Sequence, residues 1–171
     1  MLSGIPSHSF DTVICFQVIE HIRKDHLLLE EIKRVLKPGG ALLMTTPNKS
    51  MSLSRNPFHV REYLPNEMET LIRSHFSTYT IQGVSGNENM MAYYEENKKS
   101  VAAFARYDIL NLQYRMPAFL LRAPYTLLNN INRLFLLQKI ATVTANLTHR
   151  DFFLSEENAD CLDYFVTALK E

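Results

Sequence analysis

The sequence predicts an α/β fold with a mostly parallel sheet and a helical insertion before the last strand. Two patterns carry this reading. Residues 10–16, Phe-Asp-Thr-Val-Ile-Cys-Phe, form an aromatic and β-branched run too continuous for a half-exposed strand, which predicts cover on both faces. From Asp25 the apolar period becomes helical, and a second buried strand is predicted at 41–45. Strand, amphipathic helix, tight turn and strand make the unit that sets two parallel strands side by side through a right-handed crossover.

In the first helix Leu28, Ile32, Val35 and Leu36 share one side, while Glu30, Glu31, Lys33 and Arg34 occupy much of the rest. Asp25 is the expected N-cap, and Lys37-Pro38-Gly39-Gly40 the turn that ends the helix. Leu64-Pro65 opens a second helix carrying Met68, Leu71 and Ile72. A third strand is predicted at 76–84, leaving through Gly83, Gly86 and Asn87.

Residues 97–147 read as two or three helical segments interrupted by Pro117 and Pro124. One presents Val101, Phe104, Ala105, Ile109 and Leu112; another presents Leu127, Leu128, Ile131, Leu134 and Phe135. Residues 161–169 predict a closing strand, expected in the sheet interior. The opening strand then has one edge without an upstream neighbour, which predicts either truncation or a partner chain on that edge.

A chain of 171 residues, 46% hydrophobic and 21% charged, is expected to form one globular unit, residues 1–171. Eighteen basic and eighteen acidic residues cancel, which argues against nucleic acid as a partner. The two cysteines, Cys15 and Cys161, are too few for a disulfide scaffold. With no secretory leader in the first residues and no apolar stretch near the ~20 residues of a membrane span, a cytoplasmic protein is expected. The sequons at Asn48 and Asn146 would matter only in a secreted chain.

The run Phe10-Asp-Thr-Val-Ile-Cys-Phe-Gln-Val-Ile-Glu-His-Ile, then Glu31-Ile-Lys-Arg-Val-Leu-Lys-Pro-Gly-Gly and Leu43-Met-Thr-Thr-Pro-Asn, resembles class I S-adenosylmethionine-dependent methyltransferases. The likeness is to the group that includes the quinone-biosynthesis O-methyltransferases. It covers residues 8–84 well and the last ten residues loosely. The resemblance implies a Rossmann-like fold in which residues 10–16, 41–45, 76–84 and 161–169 correspond to strands four to seven. Strands one to three would then be lacking, so the likeness implies a C-terminal half only, weak or inactive by itself. The five glycines form no Gly-x-Gly-x-x-Gly segment.

By the same resemblance Phe16, Gln17 and Val18 are expected to touch S-adenosylmethionine. Glu20-His21 reads as an imidazole oriented by a carboxylate and able to act as general base, or as a helix cap, or as part of a metal pair. No spaced ligand set completes a metal site, and none is expected. Asn48 and the stretch holding Arg55, Phe58, His59, Arg61 and Tyr63 are expected on the acceptor side, with His59 the alternative base. The insertion at 97–147 could form a lid, a dimer face or a membrane-surface platform, with Tyr107, Tyr114, Arg115, Arg122 and Tyr125 at its edges.

The expected activity is methyl transfer to a small-molecule acceptor. Two other readings stay open: a non-catalytic interaction module with a vestigial cofactor site, and the trailing part of a nucleotide-dependent oxidoreductase, since the strand–helix–strand pattern is widely shared.

Overall fold

The structure, a computed structural model, describes residues 3–106, 108, 111–139 and 147–171. Tyr107, Ile109 and Asn146, named above, lie outside the described residues, as do Met1 and Leu2. The elements in chain order are β1 (Phe10–Phe16), α1 (Asp25–Val35), β2 (Leu36–Pro47), α2 (Pro65–Arg73), β3 (Thr78–Gly86), α3 (Glu88–Ala105), α4 (Leu112–Arg115), α5 (Ala118–Lys139), β4 (Phe152–Ser155) and β5 (Asp163–Leu169). The five strands form one sheet in the order β1-β2-β5-β3-β4. This is an α/β mixed-sheet fold with helices inserted before the last strand.

The strand–helix–strand reading holds. β1 and β2 are parallel, with Thr12 through Phe16 facing Ala41 through Thr45. β5 lies in the sheet interior as expected, antiparallel to β2 on one side and to β3 on the other. The sheet is therefore mixed rather than mostly parallel. β2 and β3 run the same way, but the reversed strand between them makes both of their ladders antiparallel.

Three expectations need correction. β1 is not covered on both faces: Val13 and Cys15 turn inward, while Ile14 is 63% exposed and Phe10 and Phe16 are also exposed. The Lys37–Gly40 turn is absorbed into β2 as an irregularity, where the register jumps from Phe10↔Leu36 to Thr12↔Ala41. Gly39 takes the left-handed backbone this requires, with φ at 76°, and its N–H donates to the Lys170 carbonyl at 2.7 Å. Third, Lys24 rather than Asp25 caps α1.

The helical stretch begins at Glu88, earlier than 97, where the Asn87 side chain accepts from the Met90 N–H at 3.1 Å. Pro117 separates α4 from α5, but Pro124 sits inside α5 without ending it. β4 was not anticipated from the sequence, being only four residues long.

The chain divides into two compact units, one of Met1–Met51, Val60–Ser85 and Leu154–Glu171, the other of Ser52–His59 and Gly86–Phe153. In the first, Leu28, Leu29 and Ile32 of α1 and Met68, Leu71 and Ile72 of α2 pack with Leu42 and Met44 of β2 and Tyr164, Val166 and Ala168 of β5. Burial on one helical stripe and on alternate strand residues is what the two periods demand. The second unit holds α3, α4 and α5. Among the described residues no helix is long and apolar enough to cross a membrane.

Gly83 sits where the chain leaves no room for a side chain. A Cβ there would stand 2.5 Å from both the Cys161 Cβ and the Glu157 carbonyl oxygen. Gly83→Ala is expected to destabilise the protein by about 1–3 kcal/mol through overpacking, read as a lower urea midpoint. An unchanged midpoint would refute the close packing of β3 on the 157–161 segment.

Candidate functional site

In open α/β sheets the carboxyl ends of parallel strands are where ligands gather, and β1 and β2 end together here. Phe16 closes β1 with its ring exposed, its centroid 6.3 Å from that of Phe165 on β5. Gln17 follows in the left-handed region, φ 53°, a conformation costing a non-glycine residue roughly 1–3 kcal/mol. Its N–H donates to the Thr45 carbonyl at 2.9 Å, which ties the turned backbone to the end of β2. Val18 is exposed beside it.

A short 3₁₀ turn, Ile19–His21, comes next. It buries Glu20, which is 1% exposed, and leaves His21 partly open. The Thr46 hydroxyl donates to Glu20 Oε2 at 3.0 Å, whereas Oε1 is buried and has no hydrogen bond among the described residues. His21 Nε2 stands 3.8 Å from that oxygen, close enough for an electrostatic attraction but too far for a hydrogen bond. The expected imidazole–carboxylate pair is thus brought together in space. Its hydrogen bond is not formed.

Sequence reasoning missed Asp163. The antiparallel register sets this first residue of β5 opposite Pro47, at the carboxyl end of β2. Burial raises its carboxyl above the usual carboxylate range; the nearby Glu20 charge acts the same way, and a hydrogen bond with Gln17 opposes both. No local signal marks it, because only the register of a strand over 100 residues away delivers it. Cys15, on the inward face of β1, has its thiol pushed up to about 11 by burial and by Glu20, which makes it an inert core group.

Asn48 and Tyr63, expected on the acceptor side, are occupied inside the first unit. Asn48 is 1% exposed; its Nδ2 donates to the carbonyls of Ala159 and Cys161, both at 2.9 Å. Its Oδ1 accepts from the Ser50 N–H at 3.0 Å and the Tyr164 hydroxyl at 2.7 Å. Tyr63 is also fully buried and donates its hydroxyl to Asp25 Oδ2 at 3.0 Å, and burial with that carboxylate pushes its phenol up. Arg61 donates to the same oxygen at 2.8 Å. These two contacts satisfy the buried Asp25 carboxyl oxygen.

Arg55, Phe58 and His59 belong to the second unit. Arg55 Nη1 donates to the carbonyls of Gln113 at 2.7 Å and Met116 at 3.4 Å. The Phe58 ring has the Arg122 guanidinium 5.4 Å from its centroid and the Tyr125 ring centroid at 6.3 Å. His59 Nε2 and Asn56 Nδ2 are 2.8 Å apart, so with the amide as donor the imidazole nitrogen accepts.

A family model described as a methyltransferase domain matches residues 1–44, which hold β1, α1 and the start of β2. A probable S-adenosylmethionine-dependent methyltransferase of Mycolicibacterium smegmatis is 41% identical over 75 residues, covering 41% of this chain and 29% of that protein. A ubiquinone biosynthesis O-methyltransferase of Xanthomonas oryzae is 26% identical over 101 residues, covering 50% of this chain and 41% of that one. Among solved structures, a possible histamine N-methyltransferase of Thermotoga maritima superposes with a TM-score of 0.54 at 13% identity. That match covers 98% of this chain and 59% of the other. The chain therefore matches less than half the length of these curated relatives.

The solved-structure match corrects the expectation of a likeness limited to a C-terminal half. Shared fold extends over nearly the whole of this chain, through helices whose sequence carries no family motif. A backbone path persists where side chains have diverged, which is why sequence motifs alone understated the likeness.

The Asn48 bonds carry a test. Asn48→Ala leaves two buried carbonyls and a tyrosine hydroxyl short of partners, at about 1–3 kcal/mol for each group left unsatisfied. A lower melting temperature is expected in calorimetry. If the variant melts like the parent, Asn48 is not a structural lock and its expected acceptor role regains ground.

Proposed function

We propose that this chain serves S-adenosylmethionine-dependent methyl transfer to a small-molecule acceptor, working at the carboxyl ends of β1 and β2. The observation that carries the reading is the exposed Phe16 ring followed by the left-handed Gln17, inside the stretch matched by the methyltransferase model.

The residues fit one wall of such a cofactor. Phe16 and Val18 offer apolar surface, and the turned backbone at Gln17 offers polar groups to an adenosyl or amino portion. Gly40 and Gly83 are closed by protein atoms, and Gly39 serves the β2 irregularity. When bound, the cofactor supplies the methyl group on a sulfonium, an electrophile that needs little help from the protein.

The protein's share is alignment, exclusion of water and, for a hydroxyl acceptor, removal of a proton. Glu20 is positioned to hold His21 as the base, its Oε1 lacking any other partner among the described residues. His59 is the alternative base, its Nε2 2.8 Å from the Asn56 amide. Arg61, more than half exposed, is the cation available to an acidic acceptor. The two free cysteines fit a reducing compartment such as the cytoplasm.

Calorimetric titration with S-adenosylhomocysteine tests the site. Phe16→Ala removes an exposed ring, so it is expected to weaken binding roughly tenfold, about 1.4 kcal/mol, with little change in melting temperature. Equal affinity in the variant, or no binding by the parent chain, would count against the proposed wall.

Contact with a second copy or with a membrane surface is a separate part of the proposal, supported by exposed Phe119, Leu127, Leu134 and Phe135 on α5 and by Phe10 and Ile14 on β1. Co-sedimentation with phosphatidylcholine vesicles and a concentration series in sedimentation velocity are expected to show one or the other. A monomer at every concentration that ignores vesicles would remove this part.

A further inference from the structure

The second unit contains a cavity of about 540 Å³, within the range of ~300–1,000 Å³ in which proteins seat drug-sized ligands. Its wall is apolar over most of its extent: Phe104 comes from α3, Leu121, Pro124 and Leu128 from α5, and Met116 from the link between α4 and α5. Arg55 lines the same space from the 52–59 segment.

Arg55 is the unusual member. The Gln113 and Met116 carbonyls hold its guanidinium by Nη1 alone. No carboxylate pairs with it among the described residues, and its Nε and Nη2 have no partner there. Asp108 also lines the cavity, but its two carboxylate oxygens accept from the backbone N–H groups of Leu112 at 2.6 Å and Gln113 at 3.1 Å. It is committed to starting α4.

Arg55 is half-buried, and its Nε and Nη2 are not buried away from solvent, so an anion can replace water on them and gain a charge-assisted pair beside the apolar wall. The edge formed by Nε and Nη2 has the geometry that takes a carboxylate through two parallel hydrogen bonds. We propose that this cavity is a binding site for an amphipathic carboxylate, its apolar body against Phe104, Leu121 and Leu128 and its carboxylate on the free edge of Arg55. The inference goes beyond methyl transfer. It uses residues of the second unit alone and requires no cofactor.

Calorimetry with dodecanoate and with dodecan-1-ol, both below their aggregation limits and without any S-adenosyl compound present, tests it. Dodecanoate is expected to bind saturably at one site, with the alcohol at least ~10-fold weaker because it leaves the guanidinium unpaired. Arg55→Gln is expected to remove that preference, and Arg55→Lys to restore only part of it, since an ammonium is not a planar fork. Leu121→Trp fills the cavity and should abolish binding of both probes while Arg55 is retained. The proposal is overturned if dodecanoate does not saturate, if the alcohol binds equally well, or if binding survives Leu121→Trp. Should Arg55→Gln fail to fold, the Leu121→Trp titration and the probe comparison in the parent chain decide the matter.

Discussion

The arrangement rests on one long-range pairing, the insertion of β5 between β2 and β3. Ala41 through Pro47 pair with Leu169 through Asp163 on one side, and Thr78 through Val84 pair with the same seven residues on the other. Until the last strand arrives, β2 and β3 present unpaired edges toward each other, and the loop that must close from β3 to β5 spans the whole helical stretch. Such contacts cost chain entropy before they return anything. The carboxyl ends of β1 and β2, where ligand chemistry is proposed, take their final form only when Asp163 and Phe165 come up beside them.

Polar groups fasten that pairing. Asn48, just past β2, holds the carbonyls of Ala159 and Cys161 before β5 and accepts from Tyr164 within it. Tyr164 reaches the Tyr63 carbonyl as well, and Tyr63 in turn reaches Asp25 at the start of α1. Each group is satisfied by a neighbour from a different part of the chain, so the network specifies one register among several that apolar packing would tolerate. Glu20 stands at its border with one oxygen satisfied by Thr46 and the other unpaired. An incompletely satisfied buried carboxylate beside an exposed imidazole is where the fold departs from full internal pairing, and such departures gather at functional sites.

The candidate site was legible where its residues are contiguous. Phe16, Gln17, Val18, Glu20 and His21 follow one strand end, and a strand before a helix announces its own carboxyl end. It was illegible where the side chain's duty is set by distant partners. Asn48 and Tyr63 look like exposed recognition residues in a polar loop, yet both are buried and bonded across the fold. Asp163 looks like the ordinary polar start of a strand, and its raised carboxyl follows from burial that no local pattern encodes.

The sequence by itself determined the local elements: β1 at 10–16, the amphipathic stripe of α1, the proline-opened α2, and a terminal strand rich in aromatic and β-branched residues. These follow from periodicity and from backbone limits at proline and glycine, which act over a few residues. Tertiary structure alone decided that β5 reverses the sheet's middle, that one face of β1 stays open, and that Arg55 sits unpaired by any described carboxylate in an apolar cavity. Each of these depends on which surfaces meet across a hundred residues of chain, and pairing at that range is settled by the sum of burial, register and loop closure rather than by any segment's own preference.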